Sequence, residues 1–529
     1  MATVRIDLGR PKKRIKLSRF ILGHFIEHLG LCIENGIWTY DDTSNELLGK
    51  EKLERVRKDL FQVIEALNPP IIRYPGGCFS DTYHWKDGIG PRETRPVRKN
   101  KAWGGYKNTL YKLGPKERNH FGTDEFLTLC DELGAAPYLN VNFGSGTPEE
   151  AAEWVEYVNG GANTVGGKLR RENGHVEPYN VKIWGIANEI YGFWEIGDYR
   201  NKPREYGEKY LEFARVMKES DPTIELVAVG HDGSSDWNRP LLEVIKDEVD
   251  YLSIHKYFGM KPGILGAIQF FLKKSPFPAT EAFYYILLNS PCTYDKLITS
   301  AEEDITSALG GDGLERCKIA FDEWNIWASG YQGYRADKPP VTLREGLWTT
   351  LILNTFFRHG HSIGMANFSQ LVNCLGMILT YEDGVVLTPH YLAFKMYVDG
   401  WQPWLVPVDI DCDAITSEVF SKVFPAETAP LLDSIALTSE DGKQLSIFCV
   451  NKHFSNGVEC EFDIEGNDAF EAVEEVEACI LTNDSPFAFN SREKPKEVEL
   501  QKEKIKIKGL QFVHELPPHS VCCFKMEIK

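Results

Sequence analysis

Two glutamates in this sequence each stand at the end of an apolar run: Glu189 closes VKIWGIANE, and Glu323 falls within KIAFDEWN. Paired carboxyl groups of this kind suit hydrolysis of a glycosidic bond. That reaction needs a proton donor for the departing oxygen and a second carboxylate that stabilises or captures the cationic sugar. Asn188 precedes Glu189, and Asp322, Trp324 and Asn325 flank Glu323. A nucleophilic carboxylate must stay ionised, which a nearby arginine and a hydrogen-bonding tyrosine favour; Arg73 and Tyr257, at the ends of other apolar runs, are the candidates. The acid must keep its proton near neutral pH, as a less polar setting and a negative partner promote. Trp184, Phe193 and Trp194 lie close to Glu189 in the chain. Aromatic rings also stack on the apolar faces of sugars, and Trp103, in KAWGGYKN, is the candidate for such a contact.

Carboxylates so far apart in sequence share a site only if the fold brings their strands together. From about residue 20 to 385, short apolar runs alternate with helical patterns, as successive βα units do. Eight candidate strands fall at 20–25, 71–75, 137–143, 181–189, 224–230, 249–257, 318–325 and 364–370. Between them lie helical stretches such as KLERVRKDLFQVIEAL and GTDEFLTLCDELG, the second ending on the glycine that commonly stops a helix. Polar and aromatic residues crowd the ends of these runs: Glu27 and His28, Arg73, Asn142, Asn188 and Glu189, His231, His255 and Tyr257, Glu323, Gln370. The expected fold is α/β, a (β/α)8 barrel, whose active site lies at the C-terminal ends of its strands. Glu189 and Glu323 would then follow strands four and seven and face one cleft.

After about residue 403 the pattern becomes short alternating runs separated by turn residues, which predicts an antiparallel β-sandwich. The division expected is 20–385 for the barrel and 386–529 for the sandwich, a jelly-roll-like domain with no constellation of acids and histidines. The segment 260–288 is long and aromatic for a loop after strand six, and it either covers the pocket or forms an oligomer contact.

The 529 residues, 43% hydrophobic and 26% charged, have the composition of a globular protein large enough for two domains. A net charge of −18 disfavours nucleic acid and anionic membranes as partners and leaves a neutral substrate as the natural one. No run reaches the roughly 18 apolar residues of a membrane span, and the N-terminus lacks the apolar core of about 7–15 residues of a secretory signal, so a cytoplasmic protein is expected. The 12 cysteines include no CxxC pair, which points to reduced core thiols, not a zinc site or a disulfide framework.

The stretches GHFIEHLG (23–30), RYPGGCFSDTYHWKDGIGPRETRP (73–96), HFGTDEF (120–126), WGIANEIYG (184–192), SIHKY (253–257), FDEWNIW (321–327) and ANFSQLVN (366–373) strongly resemble the α-L-arabinofuranosidases of glycoside hydrolase family 51. The resemblance runs from about residue 18 to the C-terminus, where LPPHSVCCFKM resembles the last sandwich strand of that family. It implies that residues 1–19 complete the sandwich, that Glu189 is the acid/base and Glu323 the nucleophile, and that Glu27, Asn188 and Gln370 bind furanose hydroxyls. Arg73, His255 and Tyr257 would surround the two carboxylates. No metal or organic cofactor is implied, and a homo-oligomer, often a hexamer, is.

The chain departs from the family pattern in places. Cys78 follows RYPGG where many members carry a sugar-binding asparagine, and its apolar thiol would widen or dry the pocket. The acid/base motif reads ANEIYGFWE, so Ala187, Phe193 and Glu195 alter the rim near the leaving group. Xylose-releasing and glucan-cleaving activities also occur in the family and are the alternatives to arabinose release. A metal-dependent barrel hydrolase would want clustered histidines at strand ends, and a non-catalytic carbohydrate-binding barrel would lack a carboxylate; neither pattern is present.

Overall fold

The computed structural model describes residues 2–9, 13–40, 45–103, 116–197, 199–259, 277–327, 341–465 and 473–528. Residues 260–276 of the long segment after strand six therefore lie outside the described residues, whereas a helix, Glu281–Asn289, begins in its remainder.

Eight parallel strands close a barrel. They are β1 (Gly23–Phe25), β2 (Ile71–Tyr74), β3 (Ala136–Val141), β4 (Ile183–Ile186), β5 (Glu225–Val229), β6 (Tyr251–Gly259), β7 (Lys318–Trp327) and β8 (Ile363–Ser369), each bonded to the next in chain order and β8 to β1. Helices separate successive strands, and local chemistry sets their ends. Pro148–Asn159 starts with proline in its first turn and Thr147 capping the Glu150 amide; Thr123–Leu133 stops at Gly134, whose φ of 65° is left-handed. The bottom of the barrel is plugged by Ile71, Tyr138, Ile183, Val227, Ala320 and Met365, one from each of six strands. Polar side chains therefore concentrate at the other end.

The first strand is shorter than the apolar run predicts. Arg19–Leu22 forms a 3-10 turn in which the Ser18 hydroxyl accepts a hydrogen bond from the Phe20 amide, and only Gly23–Phe25 extends. Apolar content alone does not separate a buried turn from a strand.

Two mostly antiparallel sheets pack beside the barrel. One orders strands 408–411, 2–7, 458–465 and 511–516; the other orders 15–16, 404–406, 432–438, 444–451, 520–527, 473–481 and 500–509. N-terminal strands take part in both, with Ala2–Asp7 parallel to Val458–Glu465. Val4, Ile6, Ile447, Phe462 and Phe524 lie in the core between the sheets. The sandwich meets the barrel through two helices, Leu343–Arg358 and Pro389–Asp399: Tyr397 stacks on Phe448 at 4.1 Å, and Arg358 pairs with Asp433 at 2.9 Å.

Candidate active site

At the C-terminal mouth of the barrel, hydrogen bonds join Arg73, Glu323, Tyr257, Asn188 and Cys78 into one group, Glu27, Trp103 and Gln370 into a second, and Glu189 with His255 into a third. Glu323 lies in β7 opposite His255 of β6, and the register of both strands slips just before these residues. Such bulges re-aim side chains. Here they let Asp322 and Glu323 both reach partners on the inner face of the barrel.

Arg73 Nη1 donates to Glu323 Oε1 at 2.6 Å, and the Tyr257 hydroxyl donates to Oε2 at 2.8 Å. Burial raises the Glu323 carboxyl above its usual range, while His255 and Arg73 draw it back down. Tyr257 stays a phenol and hence a donor, because burial and then Glu323 hold its pKa well above normal. Asp322 lies beneath, accepting from the Tyr138 hydroxyl at 2.8 Å and from Ser253 at 2.6 Å. Its burial is outweighed by Arg73 and His255, so its carboxyl falls well below its ordinary value.

Glu189 follows β4 on a turn in which Ala187 has φ +78° and Glu189 itself φ +26°. This left-handed backbone folds the chain back so that Trp194 Nε1 donates to Glu189 Oε2 at 2.6 Å. The other carboxylate oxygen faces His255 Nδ1 at 3.1 Å, and His255 Nε2 lies 3.2 Å from Asp322. Burial would lower the imidazole pKa, but Glu323 and Asp322 lift it to about 10. His255 is thus an imidazolium facing three carboxyl groups.

Glu27 forms the opposite wall. Its Oε1 accepts from the Gly77 and Phe79 amides at 3.0 and 3.1 Å and from Trp103 Nε1 at 3.1 Å, and its Oε2 from Gln370 Nε2 at 3.0 Å. Burial and then Glu323 raise its carboxyl to about 7 against these donors. The backbone of the PGG turn presses against both walls: a Cβ on Gly77 would sit 2.6 Å from Glu323 Oε1, so only glycine fits. Gln370 Oε1 is buried with no hydrogen-bond partner among the described residues, an acceptor available to a hydroxyl.

Asn188 links the walls. Its Oδ1 accepts from Arg73 Nη2 at 2.9 Å, and its Nδ2 donates to Glu195 Oε1 at 3.1 Å and lies 3.9 Å from Cys78 Sγ. Its backbone amide donates to Asp81, a buried carboxylate that also takes the Phe143 and Gly144 amides.

Other strand-end residues play different parts. Trp184 is core, donating to the Val181 carbonyl and meeting Trp154 edge-on; Trp194 is the ring that reaches Glu189. Asn142 caps loop amides, His231 packs on Tyr191 at 4.3 Å, and His28 lies between Glu117 and the Tyr74 hydroxyl. Sequence reasoning missed Asp81, Ser253 and Tyr138. Asp81 sits one residue past the 3-10 turn start in FSDTY, where nothing in the pattern announces a buttress.

Three donor groups among the described residues converge within 4.8 Å: Glu189, His255 and Glu323; Cys78, Glu189 and Glu195; and His28, Glu34 and Glu117. None is a good cation site by its chemistry. His255 is protonated and has no lone pair to offer. The Cys78 thiol is pushed well up by burial and then Glu195, far from the thiolate a metal binds. Both nitrogens of His28 already have partners.

A closed (β/α)8 barrel with two glutamates facing each other across its C-terminal mouth defines a glycoside hydrolase. The chain belongs to the α-L-arabinofuranosidase family: residues 63–270 match the family profile described as the α-L-arabinofuranosidase 1 domain, and residues 322–520 match the α-L-arabinofuranosidase C-terminal domain. It is 34% identical to a probable α-L-arabinofuranosidase C of Aspergillus fumigatus, over 98% of this chain and 96% of that protein. It is 30% identical to an intracellular exo-α-L-arabinofuranosidase of Bacteroides ovatus, over 99% and 96%. Among solved structures, the arabinose complex of Thermotoga maritima α-L-arabinofuranosidase superposes with a TM-score of 0.83 at 33% identity, covering 100% of both chains.

Proposed function

We propose that this glycoside hydrolase is retaining and exo-acting, and releases L-arabinofuranose from α-L-arabinofuranosides of arabinoxylan and arabinan oligosaccharides by double displacement. The observation that carries the mechanism is the spacing of the two carboxylates. The closest oxygens of Glu189 and Glu323 lie within 4.8 Å, in keeping with the roughly 5–5.5 Å between carboxyl groups at which one of them can attack the sugar directly.

In the first step Glu323 attacks the anomeric carbon as Glu189 gives its proton to the glycosidic oxygen and the bond to the leaving group breaks. In the second, Glu189 takes a proton from water, whose oxygen attacks the anomeric carbon and frees Glu323. Arg73 and Tyr257 hold the nucleophile ionised and oriented. Glu27, Asn188 and Gln370 bind the sugar hydroxyls, and Trp103 and Cys78 shape the pocket. No step calls for a cofactor.

Residues 20–385 form the catalytic unit, and 386–529 with 1–19 the sandwich that frames it. No helix among the described residues is long and apolar enough to cross a membrane. A cytoplasmic homo-oligomer, a hexamer in the family's manner, acting on neutral oligosaccharides fits the charge of −18. The test is a panel of aryl α-L-arabinofuranoside, β-D-xylopyranoside, β-D-glucopyranoside and β-D-galactopyranoside, with NMR of the first-formed product. The arabinofuranoside should turn over fastest with its configuration kept; a faster β-xyloside or an inverted product would overturn the reading.

A further inference from the structure

The chain that delivers Glu189 after β4 also carries an aromatic ring to which the two-step mechanism gives no part. The Gly192 amide donates to the Glu189 carbonyl at 2.6 Å and the Glu195 amide to the Gly192 carbonyl at 3.2 Å, so two tight turns follow one another, with Phe193 and Trp194 at the corners of the second. The Trp194 indole lies against the Gly192 backbone, where a Cβ would meet the ring, and Tyr191 meets it edge-on at 6.2 Å. Held inward in this way, its Nε1 reaches Glu189 Oε2 at 2.6 Å. Phe193 turns outward and meets the indole edge-on at 5.0 Å. At 74% exposed, against 38% for Phe489, it is the phenylalanine most open to solvent among the described residues, and Ile196 continues the apolar rim beside it.

A single exposed apolar side chain is ordinary on a protein surface. Position makes this one informative. Glu189 gives its proton to the glycosidic oxygen, so the leaving group lies on the Glu189 side of the mouth, away from the wall of Glu27, Trp103 and Gln370. On that side Trp194 borders the acid, and Phe193 stands one indole ring further out. We propose that Phe193 determines leaving-group specificity: its ring stacks on a pyranose just beyond the scissile bond, so that arabinofuranose is released from a β-xylopyranosyl backbone in preference to an arabinofuranosyl one. The proposal rests on Glu189 as acid/base and on arabinofuranosides as substrates.

The chemistry of the two leaving groups makes the choice. The face of a phenyl ring is its electron-rich side and attracts C–H bonds that point into it. In a β-xylopyranosyl unit every hydroxyl is equatorial and there is no exocyclic carbon, so both faces present axial C–H bonds over a flat area. In an arabinofuranosyl unit the substituents alternate above and below a five-membered ring, and each face carries polar groups. Those groups would lose water against the phenyl ring and gain no hydrogen bond in return. Two successive turns and the packed indole fix the backbone that carries Phe193, so little order has to be imposed when a sugar lands on it.

The test is steady-state kinetics of the full-length wild-type and Phe193→Ala enzymes on three substrates: xylobiose bearing one α-L-arabinofuranosyl branch, arabinobiose, and methyl α-L-arabinofuranoside, whose leaving group is too small to reach Phe193. Relative to the methyl glycoside, kcat/KM for the branched xylobiose should fall roughly 3- to 10-fold in Phe193→Ala, while the arabinobiose ratio moves by less than about twofold. The loss should appear in KM, because a contact remote from the reacting atoms is made equally in the ground and transition states. Phe193→Tyr, which keeps the ring, should keep the wild-type ratio. An unmoved ratio for the branched xylobiose, an equal fall for arabinobiose, or a drop in kcat shared by all three substrates overturns the proposal; the last would mean that the ring acts through Trp194 on Glu189. A wild-type enzyme that frees arabinose from none of the three removes the proposed function and this inference with it. One that frees arabinose with ratios indifferent to Phe193 sinks only the role of Phe193.

Discussion

Removing the Tyr257 hydroxyl isolates one of the contacts that keep Glu323 ionised. Phenylalanine at this position preserves the ring, which meets Trp327 edge-on at 5.1 Å, and deletes the 2.8 Å bond to Glu323 Oε2 and the 2.7 Å contact with Ser369 Oγ. A hydrogen bond to a charged group contributes about 1.5–3 kcal/mol, and one pKa unit corresponds to about 1.36 kcal/mol. Glu323 is already raised by burial, so losing this donor should move the acid limb of kcat/KM upward by about 1–2 pH units. Below the limb, activity should drop roughly 10- to 150-fold. At pH well above both limbs' acid pKa values the two enzymes should converge to within the smaller cost of a less oriented nucleophile. The assay is kcat/KM for an aryl arabinofuranoside across the pH range, with thermal unfolding to confirm the fold. A uniform loss at every pH, with the acid limb in place, would show that Tyr257 acts by packing and would refute the argument.

Further outcomes follow from other parts of the structure. Cys78 Sγ lies 3.9 Å from the Asn188 amide and beside Glu195, so Cys78→Asn should add a hydrogen-bonding amide to the pocket and change the ratio of arabinofuranoside to xyloside kcat/KM; an unchanged ratio means the thiol only packs. Ala187 is buried at φ +78°, where an L side chain is strained, so Ala187→Gly should stabilise the fold by about 1 kcal/mol in denaturant unfolding, and a loss would show that the methyl's packing outweighs the strain. His359, half-bridging Glu302 at 2.9 Å and Asp295 at 3.0 Å, has its pKa lifted to about 9 by these partners against burial. Its folded pKa exceeds the unfolded value, so its contribution to stability is complete below about pH 6.5 and is lost as pH rises through 9. The unfolding temperature should fall across that window, and less steeply in His359→Gln; equal slopes would contradict it.

The barrel was legible because each of its strands is a short apolar run and the helices between them carry their own stops, as at Gly134. Strand ends were less so: the Phe20–Phe25 run reads as one strand until the Ser18 cap turns half of it into a 3-10 helix. The gathering of Glu189, Glu323, Arg73, His255 and Tyr257 at one mouth was legible for the same reason, since a parallel barrel puts every strand's end on one side. Direction was not. Trp184 and Trp194 are near Glu189 in sequence, yet the left-handed turn at Ala187 and Glu189 sends one to the core and brings the other onto the carboxylate. Buttresses such as Asp81, which binds backbone amides from two other loops, leave no periodic trace.

The central claim is that Glu323 forms a bond to the sugar. Glu189→Ala enzyme, mixed with an arabinofuranoside bearing an activated leaving group and quenched rapidly, should accumulate the glycosyl-enzyme because its hydrolysis lacks a base. Peptide mass mapping should then place one pentosyl residue on the fragment containing Glu323, and on none from Glu323→Gln enzyme treated alike. A pentosyl group on another residue, or no adduct while the leaving group is released in a burst, would contradict the account.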